Sequence, residues 1–436
     1  MRVLFVSGEL IGSALVHRLI TEGHDVRLYI DHVDRKMCFE GFVHKTDNWE
    51  GELTWVGKGG LIVFDDVIFD GAQDRLRDEG YRVVGGSRAS DQLETDRRHF
   101  HDVLDRHGVQ TLPSHDFATT DQAAEFIDRN GGLWVAKQSS HIGMLNYVGQ
   151  RADGRDVLDM LQLYKRRGIG EVHLQERVHG VEIGVGRYFN GQDWVGPIEM
   201  NLEHKPLCHG NLGPLTAEMG TLMWYERDET HPIFQTVLAP IKPYLQSIGY
   251  KGDLDINCIA NAEGIWPLEA TMRFGTPASE LQAELHVSPW GDFLSAIADG
   301  TSFDLKVKDG FGIVVSVMLP PFPFGPEVFG TSNIVSCNGF VIHFDDDLTE
   351  AEREQIHFEE VSLQTDDDGA EQHIIAGKHG YALYVTGHGE TVQDARQEAY
   401  SVIDKIQIPQ MFYRTDIGDA FINGQHQQLK SWGWLR

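Results

Sequence analysis

The first thirty residues constrain the fold most, because they read as a strand, a helix and a second strand. Residues 2–7 are an apolar run typical of a buried parallel strand. Apolar residues then recur at helical spacing from Leu10 to Gly23, and residues 25–30 predict the next strand. Gly8 supplies a glycine turn at the helix entry, as in doubly wound α/β domains. No GxGxxG fingerprint is present, so the interpretation of this chain as a Rossmann-type oxidoreductase depends on this β-α-β unit alone.

The same alternation continues into a complete first domain. Residues 61–64 and 81–84 predict further strands, and residues 72–79 predict a helix between them. Two glycines then break the pattern, which places an N-terminal α/β domain at residues 1–92. A charge-rich helix is predicted next, at residues 93–107.

At 436 residues the chain is too long for one hydrophobic core. A central region at residues 93–305 mixes helices and strands, and its part at about 112–188 is expected to form a lid-like α+β unit. Residues 306–430 predict a small strand-rich C-terminal domain with one amphipathic helix at 391–405. The tail beyond Gly424 is expected to be peripheral or frayed. The predicted fold class is therefore multidomain, α/β and α+β.

The charge balance excludes several classes of partner. The formal net charge of −29 repels phosphate backbones and anionic lipid surfaces, so neither nucleic acid nor a membrane is expected as a partner. No stretch reaches the length of a membrane span, and no signal peptide is recognised. The four cysteines lack zinc-ligand spacing and fit a reducing cytoplasm, which is the expected location.

Two adjacent predicted strands carry the strongest candidate chemistry. The first is the stretch 252–257 and the second the stretch 266–275, and each ends with a carboxylate that could face one pocket. Asp255 and Glu269 are hard oxygen donors of the kind that hold Mg²⁺ against nucleotide phosphates. Arg273 is a fixed cation suited to a phosphate or carboxylate. A hairpin with two solvated acidic residues is the alternative reading of the same residues.

Two further segments are candidates for nucleotide contacts, although a GxxxxGK[ST] P-loop is absent. Lys137 stands at the end of a predicted strand and is suited to phosphates, or is an ordinary solvated lysine. The segment from Gln175 to Val178, followed by Gly180 and Glu182, is suited to an adenine edge and ribose hydroxyls. An ordinary hairpin with an exposed glutamate remains the alternative.

A glycine-bounded loop at residues 213–220 is a third candidate. Backbone N–H groups in such a loop can form an anion-binding concavity, whereas a plain surface turn has the same composition. The chain has no Gly-x-Ser-x-Gly elbow to support a Ser/His/Asp triad. The histidines at 99, 101, 204 and 209 have no spacing that favours metal ligation over packing.

The order of these pieces resembles the ATP-grasp superfamily, and within it the phosphoribosylamine–glycine ligase family. The resemblance spans nearly the whole chain. It is carried by Gln92-Leu93-Glu94, by Gly213-Pro214-x-Thr216-x-x-Met219-Gly220, by Leu268-Glu269-x-x-x-Arg273-Phe274-Gly275-x-Pro277, by Val385-Thr386-Gly387-His388-Gly389-x-Thr391-Val392-x-x-Ala395, and by Tyr413-Arg414-x-Asp416-Ile417-Gly418.

The resemblance implies an ATP-grasp fold with a Rossmann-like N-terminal domain at 1–92, an ATP-grasp domain at 93–305 and a small C-terminal domain. It also implies roles for individual residues. Lys137 and Arg273 would be catalytic, and Asp255 and Glu269 would bind metal. Nucleotide contacts would come from Arg97, Lys137, Gln175, Arg177, Val178 and Glu182, and substrate contacts from Gly8, Asp66, Gly213, Thr216, Met219, Gly220 and Arg273.

The chain departs from the family pattern at several places. Arg97 replaces the family's first phosphate-binding lysine, and Thr271 replaces the asparagine that follows the metal-binding glutamate. The glycine-rich lid loop is reduced to Ser-Ser-His-Ile-Gly-Met at residues 139–144. The first glycine turn lacks an Arg-Glu-His run, and Phe64-Asp65-Asp66 replaces Gly-Pro-Glu. The last two differences fall where that family binds phosphoribosylamine.

The predicted function is an ATP-dependent carboxylate–amine ligase that proceeds through an acyl phosphate, with ATP and Mg²⁺ or Mn²⁺ as cofactors. The resemblance implies glycine and phosphoribosylamine as substrates, and a monomer or homodimer. Two alternatives stay open: a ligase for a different amine, and a nucleotide-binding homologue that has lost ligase activity.

Overall fold

The computed structural model describes residues 1–137, 146–325, 337–366 and 368–436; the predicted lid loop at 139–144 lies outside these ranges. Its strands are β1 (Arg2–Ser7), β2 (Asp25–Ile30), β3 (His44–Lys45), β4 (Leu61–Phe64), β5 (Val83–Val84), β6 (Ser114–Phe117), β7 (Trp134–Lys137), β8 (Tyr147–Val148), β9 (Val172–Glu176), β10 (Val181–Asn190), β11 (Trp194–Glu203), β12 (Pro206–Cys208), β13 (Leu212–Leu215), β14 (Gly220–Glu226), β15 (Lys251–Gly252), β16 (Asp255–Ala260), β17 (Ile265–Thr271), β18 (Phe311–Met318), β19 (His343–Phe344), β20 (Ile356–Phe358), β21 (Val361–Thr365), β22 (Glu371–Ile375), β23 (Tyr381–Gly389) and β24 (Ile406–Gln407).

The α-helices are α1 (Ser13–Thr21), α2 (Leu53–Val56), α3 (Ala72–Asp78), α4 (Arg88–Thr95), α5 (Arg97–Arg106), α6 (Thr120–Asn130), α7 (Arg155–Arg166), α8 (Pro232–Val237), α9 (Lys242–Ser247), α10 (Ala278–Leu285), α11 (Trp290–Asp299), α12 (Glu350–Glu354), α13 (Val392–Ile403) and α14 (His426–Ser431). Among the helices of the described ranges, none is both long and apolar enough to cross a membrane.

The N-terminal part is a five-stranded parallel sheet in the order β3-β2-β1-β4-β5. The residues of β1 from Val3 to Val6 and those of β4 are almost completely buried, because the strands of such a sheet are covered on both faces. The β-α-β start and its parallel sheet are thus confirmed. Helix α1 begins directly after the glycine turn and lies against α10 and α11.

A small four-stranded sheet, β6-β9-β7-β8, forms a separate unit with α6 and α7. Its own apolar core includes Ile127, Trp134, Leu161, Tyr164 and Leu174. This unit occupies the region predicted as a lid. It brings Lys137, at the end of β7, next to Gln175 on the neighbouring strand β9.

The largest sheet runs β17-β16-β10-β11-β14-β18-β23-β20, with β15 paired beside β10, and these strands pair in antiparallel fashion. Strand β18 pairs with β14 on one side and with β23 on the other. The sheet therefore continues across the boundary predicted at residues 305/306. The division into domains at that place stays a prediction.

The prediction of one continuous helix at 93–107 is wrong. Helix α4 ends at Thr95 and α5 begins at Arg97, because Asp96 has an extended backbone (φ −120°, ψ 97°). The Asp96 carboxylate accepts a hydrogen bond from the His99 N–H at 3.1 Å, which caps α5. A charged residue within a helical pattern is easily read as a solvated helix position.

The prediction of a frayed tail is also wrong. Residues beyond Gly424 form α14, whose Leu429 is completely buried in the large core. The Trp434 indole N–H donates to the Asn261 carbonyl at 2.7 Å, in the turn between β16 and β17. The segment is too short for its apolar spacing to reveal this packing.

Candidate active site

A cavity of about 240 Å³ lies where the N-terminal sheet, the largest sheet and the C-terminal strands meet. A concave site lined by many ionisable groups is the expected setting for catalysis. The lining holds eight carboxyl groups against three cationic side chains. The carboxyl groups are those of Glu9, Glu199, Glu203, Glu218, Asp253, Asp255, Glu269 and Glu359, and the cations are Arg35, Lys205 and Arg273.

Strand β11 supplies one wall of the cavity. Glu199, Asn201 and Glu203 occur at every second position of β11 and all line it, because alternate side chains of a strand share one face. Lys205, two residues beyond the end of the strand, lines the cavity as well. The intervening apolar residues Ile198, Met200 and Leu202 face the core. Sequence reasoning missed this polar row. Its signal was the alternation itself, Glu-x-Asn-x-Glu-x-Lys, once the segment is read as a strand.

The β16–β17 hairpin supplies the neighbouring part of the wall. Asn257 pairs with Glu269 and Asp255 pairs with Thr271, and both acidic residues of the hairpin line the cavity. Asp255 opens its strand rather than ending it. Asn201 donates from Nδ2 to Asp255 Oδ2 at 2.9 Å, which links the hairpin to β11.

Lys205 lies at the centre of this acidic group. Its Nζ is 2.5 Å from Glu269 Oε1, 3.0 Å from Glu203 Oε2 and 3.5 Å from Glu182 Oε1. Burial alone would lower the pKa of Lys205, but these three charges outweigh it and hold the pKa well above its usual value. The Lys205 charge in turn lowers the pKa of Glu269 to about 2.

The more deeply buried carboxyl groups have raised pKa values, in contrast to Glu269. Burial raises the pKa of Glu199 to about 8 and that of Asp253 to about 7. Gln282 joins these two groups, because its Nε2 donates to Glu199 Oε2 at 2.8 Å and to Asp253 Oδ2 at 2.9 Å. Burial likewise raises the pKa of Asp255 and of Glu218 well above the usual value. Acidic groups with separated pKa values are characteristic of catalytic sites.

Lys137 and Arg97 act on the same site from the small sheet and from α5. Burial, with the charge of Arg97, lowers the pKa of Lys137 to about 7. Burial also lowers the pKa of Arg97, while the charge of Glu269 opposes that change. Lys137 Nζ donates to Gln175 Oε1 at 2.8 Å. The side chain of Gln175 is buried, and its Nε2 has no hydrogen-bond partner within the described ranges.

The segment between β9 and β10 carries the other residues assigned to the nucleotide. The Arg177 guanidinium donates to the Gly149 carbonyl at 2.6 Å and to Gln150 Oε1 at 2.8 Å. Val178 is half-buried beside it. Glu182 on β10 accepts from Asn257 Nδ2 at 2.7 Å and thereby joins the group around Lys205.

Arg273 follows β17 and faces the N-terminal sheet. Its Nε donates to Glu94 Oε1 at 3.1 Å and its Nη1 donates to the Phe274 carbonyl at 2.8 Å. Burial would lower the pKa of Arg273, but the charges of Glu94 and Asp66 raise it overall. Arg273 therefore stays a cation at the junction between the hairpin and the end of β4.

Gly8 and Asp66 lie side by side. A side chain at Gly8 would collide with the Asp66 carboxylate, so glycine is required for this approach. Burial raises the pKa of Asp66, while the charge of Arg273 opposes the change. Neither Gly8 nor Asp66 is among the residues that line the cavity, but their neighbours Glu9 and Arg273 are.

The 213–220 loop reaches the cavity through Ala217 and Glu218. Thr216 turns inward, with its N–H and its hydroxyl both donating to the Lys205 carbonyl, at 2.8 and 2.7 Å. Gly213 is exposed on β13, Met219 is completely buried in an apolar cluster, and Gly220 begins β14. The structure thus brings part of this loop to the site.

The opposite end of the cavity is built by Arg35, Glu359 and Tyr381, residues that sequence reasoning did not select. The Arg35 guanidinium donates to Glu359 and to the Glu9 carbonyl, and its Nε lies 3.4 Å from Glu360. It also lies over the Tyr381 ring, 4.9 Å from the centroid.

The C-terminal motif at 413–418 has a structural role. Arg414 and Asp416 are buried and form a bidentate ion pair, at 2.8 and 2.7 Å. Asp416 also accepts from the Gly210 N–H at 2.9 Å, and Arg414 donates to the Pro206 carbonyl at 2.9 Å. The pair therefore anchors the β12–β13 hairpin, whose second strand includes the first residues of the 213–220 segment.

Comparison with known proteins places these features in context. Residues 338–420 match the family described as "Phosphoribosylglycinamide synthetase, C domain". A phosphoribosylamine–glycine ligase of Corynebacterium ammoniagenes is 26% identical over 370 residues, which cover 81% of this chain and 80% of that protein. One from Leifsonia xyli subsp. xyli is 27% identical over 353 residues, covering 80% and 81%.

Solved structures show the same likeness. A phosphoribosylamine–glycine ligase from Thermotoga maritima matches with a TM-score of 0.70 and 19% identity, covering 96% of this chain and all of that one. A biotin carboxylase from Campylobacter jejuni matches with a TM-score of 0.64 and 11% identity, covering 97% and 95%. The class of protein is therefore defined: the chain has the ATP-grasp fold.

Within that class, the chain resembles phosphoribosylamine–glycine ligase. The resemblance indicated by its sequence motifs is confirmed by the family match, by the curated relatives and by the solved structures.

Proposed function

We propose that this chain is an ATP-dependent ligase that joins a carboxylate to an amine through an acyl phosphate. One observation carries the proposal: the polar face of β11 and the β16–β17 hairpin converge on Lys205 within one cavity that also holds Arg273. The relatives, which are named as phosphoribosylamine–glycine ligases, support the same reaction class.

In the first step, a carboxylate oxygen of the substrate attacks the γ-phosphorus of ATP, and the bond to the bridging oxygen breaks to release ADP. The protein's contribution is to position the reactants and to neutralise charge. We assign phosphate contacts to Lys137, Arg97 and Lys205, and we assign Arg273 to the transferred phosphoryl group. We assign Gln175, Arg177 and Val178 to the adenine and Glu182 to the ribose.

In the second step, the amine nitrogen attacks the acyl carbon and forms the C–N bond. The C–O bond to phosphate breaks, and phosphate leaves with the electron pair. The amine proton passes to a carboxylate of the cavity. Glu199 and Asp253, whose pKa values are raised to about 8 and 7, are suited to exchange protons near neutral pH.

The donor set fits a divalent cation. The amide nitrogens of Asn201 and Asn257 donate to Asp255, Glu203 and Glu182. The side-chain oxygens of the same two asparagines have no hydrogen-bond partner within the described ranges. Carboxylate and amide oxygens are hard ligands of the kind that Mg²⁺ or Mn²⁺ prefers. Asp255 and Glu269 would hold such an ion, which would neutralise phosphate oxygens of ATP.

Glycine and phosphoribosylamine, the pair in the names of the relatives, are the first substrates to assay. Hydroxylamine intercepts an acyl phosphate, so ATP-dependent formation of glycyl hydroxamate tests the first step without any knowledge of the natural amine. Wild-type protein should form hydroxamate and ADP in equal amounts, with glycine or with another amino acid from a panel of twenty.

Glu269→Gln should reduce hydroxamate formation by about 100-fold or more, since it removes a charged ligand at the phosphoryl group. Glu263→Gln, at an exposed position in the turn of the same hairpin, is the matched control. ATP binding without hydroxamate from any amino acid would instead support a nucleotide-binding homologue without ligase activity.

A further inference from the structure

We infer that the amine acceptor of this chain carries no phosphate and bears a second cationic group. This inference rests on the proposed function and concerns the end of the same cavity where Arg35, Glu359 and Glu9 lie. Three separate features of that end support it: its backbone N–H groups, its cations and its excess of carboxyl groups.

Three backbone donors of the first glycine turn are already occupied by side chains of the protein itself. In doubly wound domains the N–H groups at this turn and at the following helix start commonly bind phosphate. Here Asp65, which is completely buried, accepts from the Gly8 N–H at 3.1 Å and from the Gly12 N–H at 2.9 Å. The Leu10 N–H donates to the Ser7 hydroxyl at 2.7 Å. An internal carboxyl group thus lies where a ligand phosphate would bind.

The cations of this end are paired as well. Arg35 contacts Glu359 and Glu360, and the guanidinium is nearly completely buried. Arg273 is paired with Glu94. Bringing a phosphate dianion close to either guanidinium would require it to displace a carboxylate from an existing ion pair.

Carboxyl groups outnumber these two cations. Glu9 is exposed, lines the cavity, and makes no side-chain ion pair within the described ranges. Asp66 lies beside Arg273, and Glu359 accepts hydrogen bonds from both Arg35 and the Tyr384 hydroxyl. The local field therefore repels anions and attracts cations.

Proton removal from the attacking amine requires a base, and a cationic acceptor also needs counter-charges. The exposed carboxylate of Glu9 supplies one counter-charge without the loss of an existing pair. A phosphorylated acceptor would find the N–H groups of Gly8, Leu10 and Gly12 already bonded and the two guanidinium groups already paired. Specificity against it thus comes from repulsion as well as from missing contacts.

Three small amines with one scaffold and different charge test this inference: ethylenediamine, ethanolamine and O-phosphoethanolamine. Each is added to the hydroxylamine assay, and both its amide product and its inhibition of hydroxamate formation are measured. Ethylenediamine should form amide and inhibit hydroxamate formation at a concentration roughly tenfold lower than ethanolamine does, because one additional charge contact changes affinity by about tenfold. O-Phosphoethanolamine should be the weakest of the three amines. Phosphoribosylamine should show no advantage over unphosphorylated amines.

Glu9→Lys should shift the ranking towards O-phosphoethanolamine, because it replaces the unpaired carboxylate with a cation. Asp78→Lys makes the same charge reversal at an exposed position of α3 and should leave the ranking unchanged. The inference is overturned by a ranking independent of charge, by preference for either phosphorylated amine, or by no effect of any amine. Failure to form hydroxamate at all would instead refute the proposed ligase reaction.

Discussion

The Lys205 ammonium lies 2.5 Å from the Glu269 carboxylate, although β16 and β10 separate β17, which carries Glu269, from β11, which ends two residues before Lys205. With a spacing of about 4.8 Å between neighbouring strands, the backbones of β11 and β17 are roughly 14 Å apart. The contact therefore spans one face of the sheet and places a cation above Asp255 and Asn257. It links the polar face of β11 to the acidic hairpin.

Lys205→Met should reduce ATP-dependent hydroxamate formation by about 100-fold or more, because it removes the cation that three carboxylates share. Hydroxamate and ADP are the quantities to measure. Lys306→Met, at an exposed lysine paired with Asp304, is the control and should retain wild-type rates. Wild-type rates in Lys205→Met would remove Lys205 from the mechanism.

ATP binding should take up protons at pH 8. The pKa of Lys137 is lowered to about 7, so this group is mostly neutral at pH 8, and a bound triphosphate would raise the pKa. Affinity for ATP should accordingly fall as the pH rises above 7. Calorimetry at pH 8 in two buffers of different ionisation enthalpy measures the uptake directly.

Lys137→Met should abolish that proton uptake. Lys165→Met, an exposed lysine of α7 in the same small unit, should leave it intact. If the wild-type protein binds ATP at pH 8 without proton uptake, Lys137 does not contact the phosphates.

Asp416→Asn should lower the free energy of unfolding by about 3 to 5 kcal/mol, because it leaves the buried Arg414 charge unpaired. Asp419→Asn breaks a half-exposed pair with Arg396 and should cost at most about 1 kcal/mol. Urea denaturation of both variants provides the measurement. Equal effects of the two substitutions would contradict the anchoring role.

The contribution of Asp416 should also depend on pH. Burial acts to raise its pKa, but hydrogen bonds from Arg414 and from Gly210 outweigh burial and lower the pKa to about 2. A depressed carboxyl pKa gives stability that is present above the ordinary value of 3.8 and lost as the pH falls towards 2. The difference in unfolding free energy between wild type and Asp416→Asn should shrink over that interval.

Gly220→Ala should destabilise the fold by about 1 to 3 kcal/mol rather than weaken substrate binding alone. Gly220 has φ +147°, and a Cβ there would lie 2.5 Å from the Val314 carbonyl oxygen. Gly59→Ala, which meets open space, should be nearly neutral. Normal stability of Gly220→Ala together with a raised KM would favour the substrate role that the motif predicts.

The sequence predicted those parts of the fold and site that depend on local patterns. The buried run of β1 and its glycine turn identify the N-terminal sheet, and the acidic hairpin identifies one wall of the cavity. Asp255 and Glu269 are predictable candidates because they are oxygen donors on two adjacent predicted strands. Their placement in one cavity agrees with the interpretation of the hairpin.

The remaining parts depend on contacts between distant segments. Arg35 and Glu359 are separated by 324 positions, so no spacing within the sequence brings them together. Lys205 lies two residues beyond the end of β11, and only the three-dimensional sheet brings it next to Glu269. The alternation along β11 was visible, but an alternating polar row also fits a solvent-facing strand.

The sheet that runs without interruption from β17 to β20 has a consequence for how such proteins can diversify. Strand β18 shares backbone hydrogen bonds with β14 and with β23, so exchange of the C-terminal portion between relatives would have to preserve both registers. Recombination at residues 305/306 would join β14 and β18 from different parents, whereas Arg35 and Glu359 lie outside the pairings of β18. Point mutations around Arg35 and Glu359 can therefore change the lining of the cavity without disturbing the pairing of the sheet.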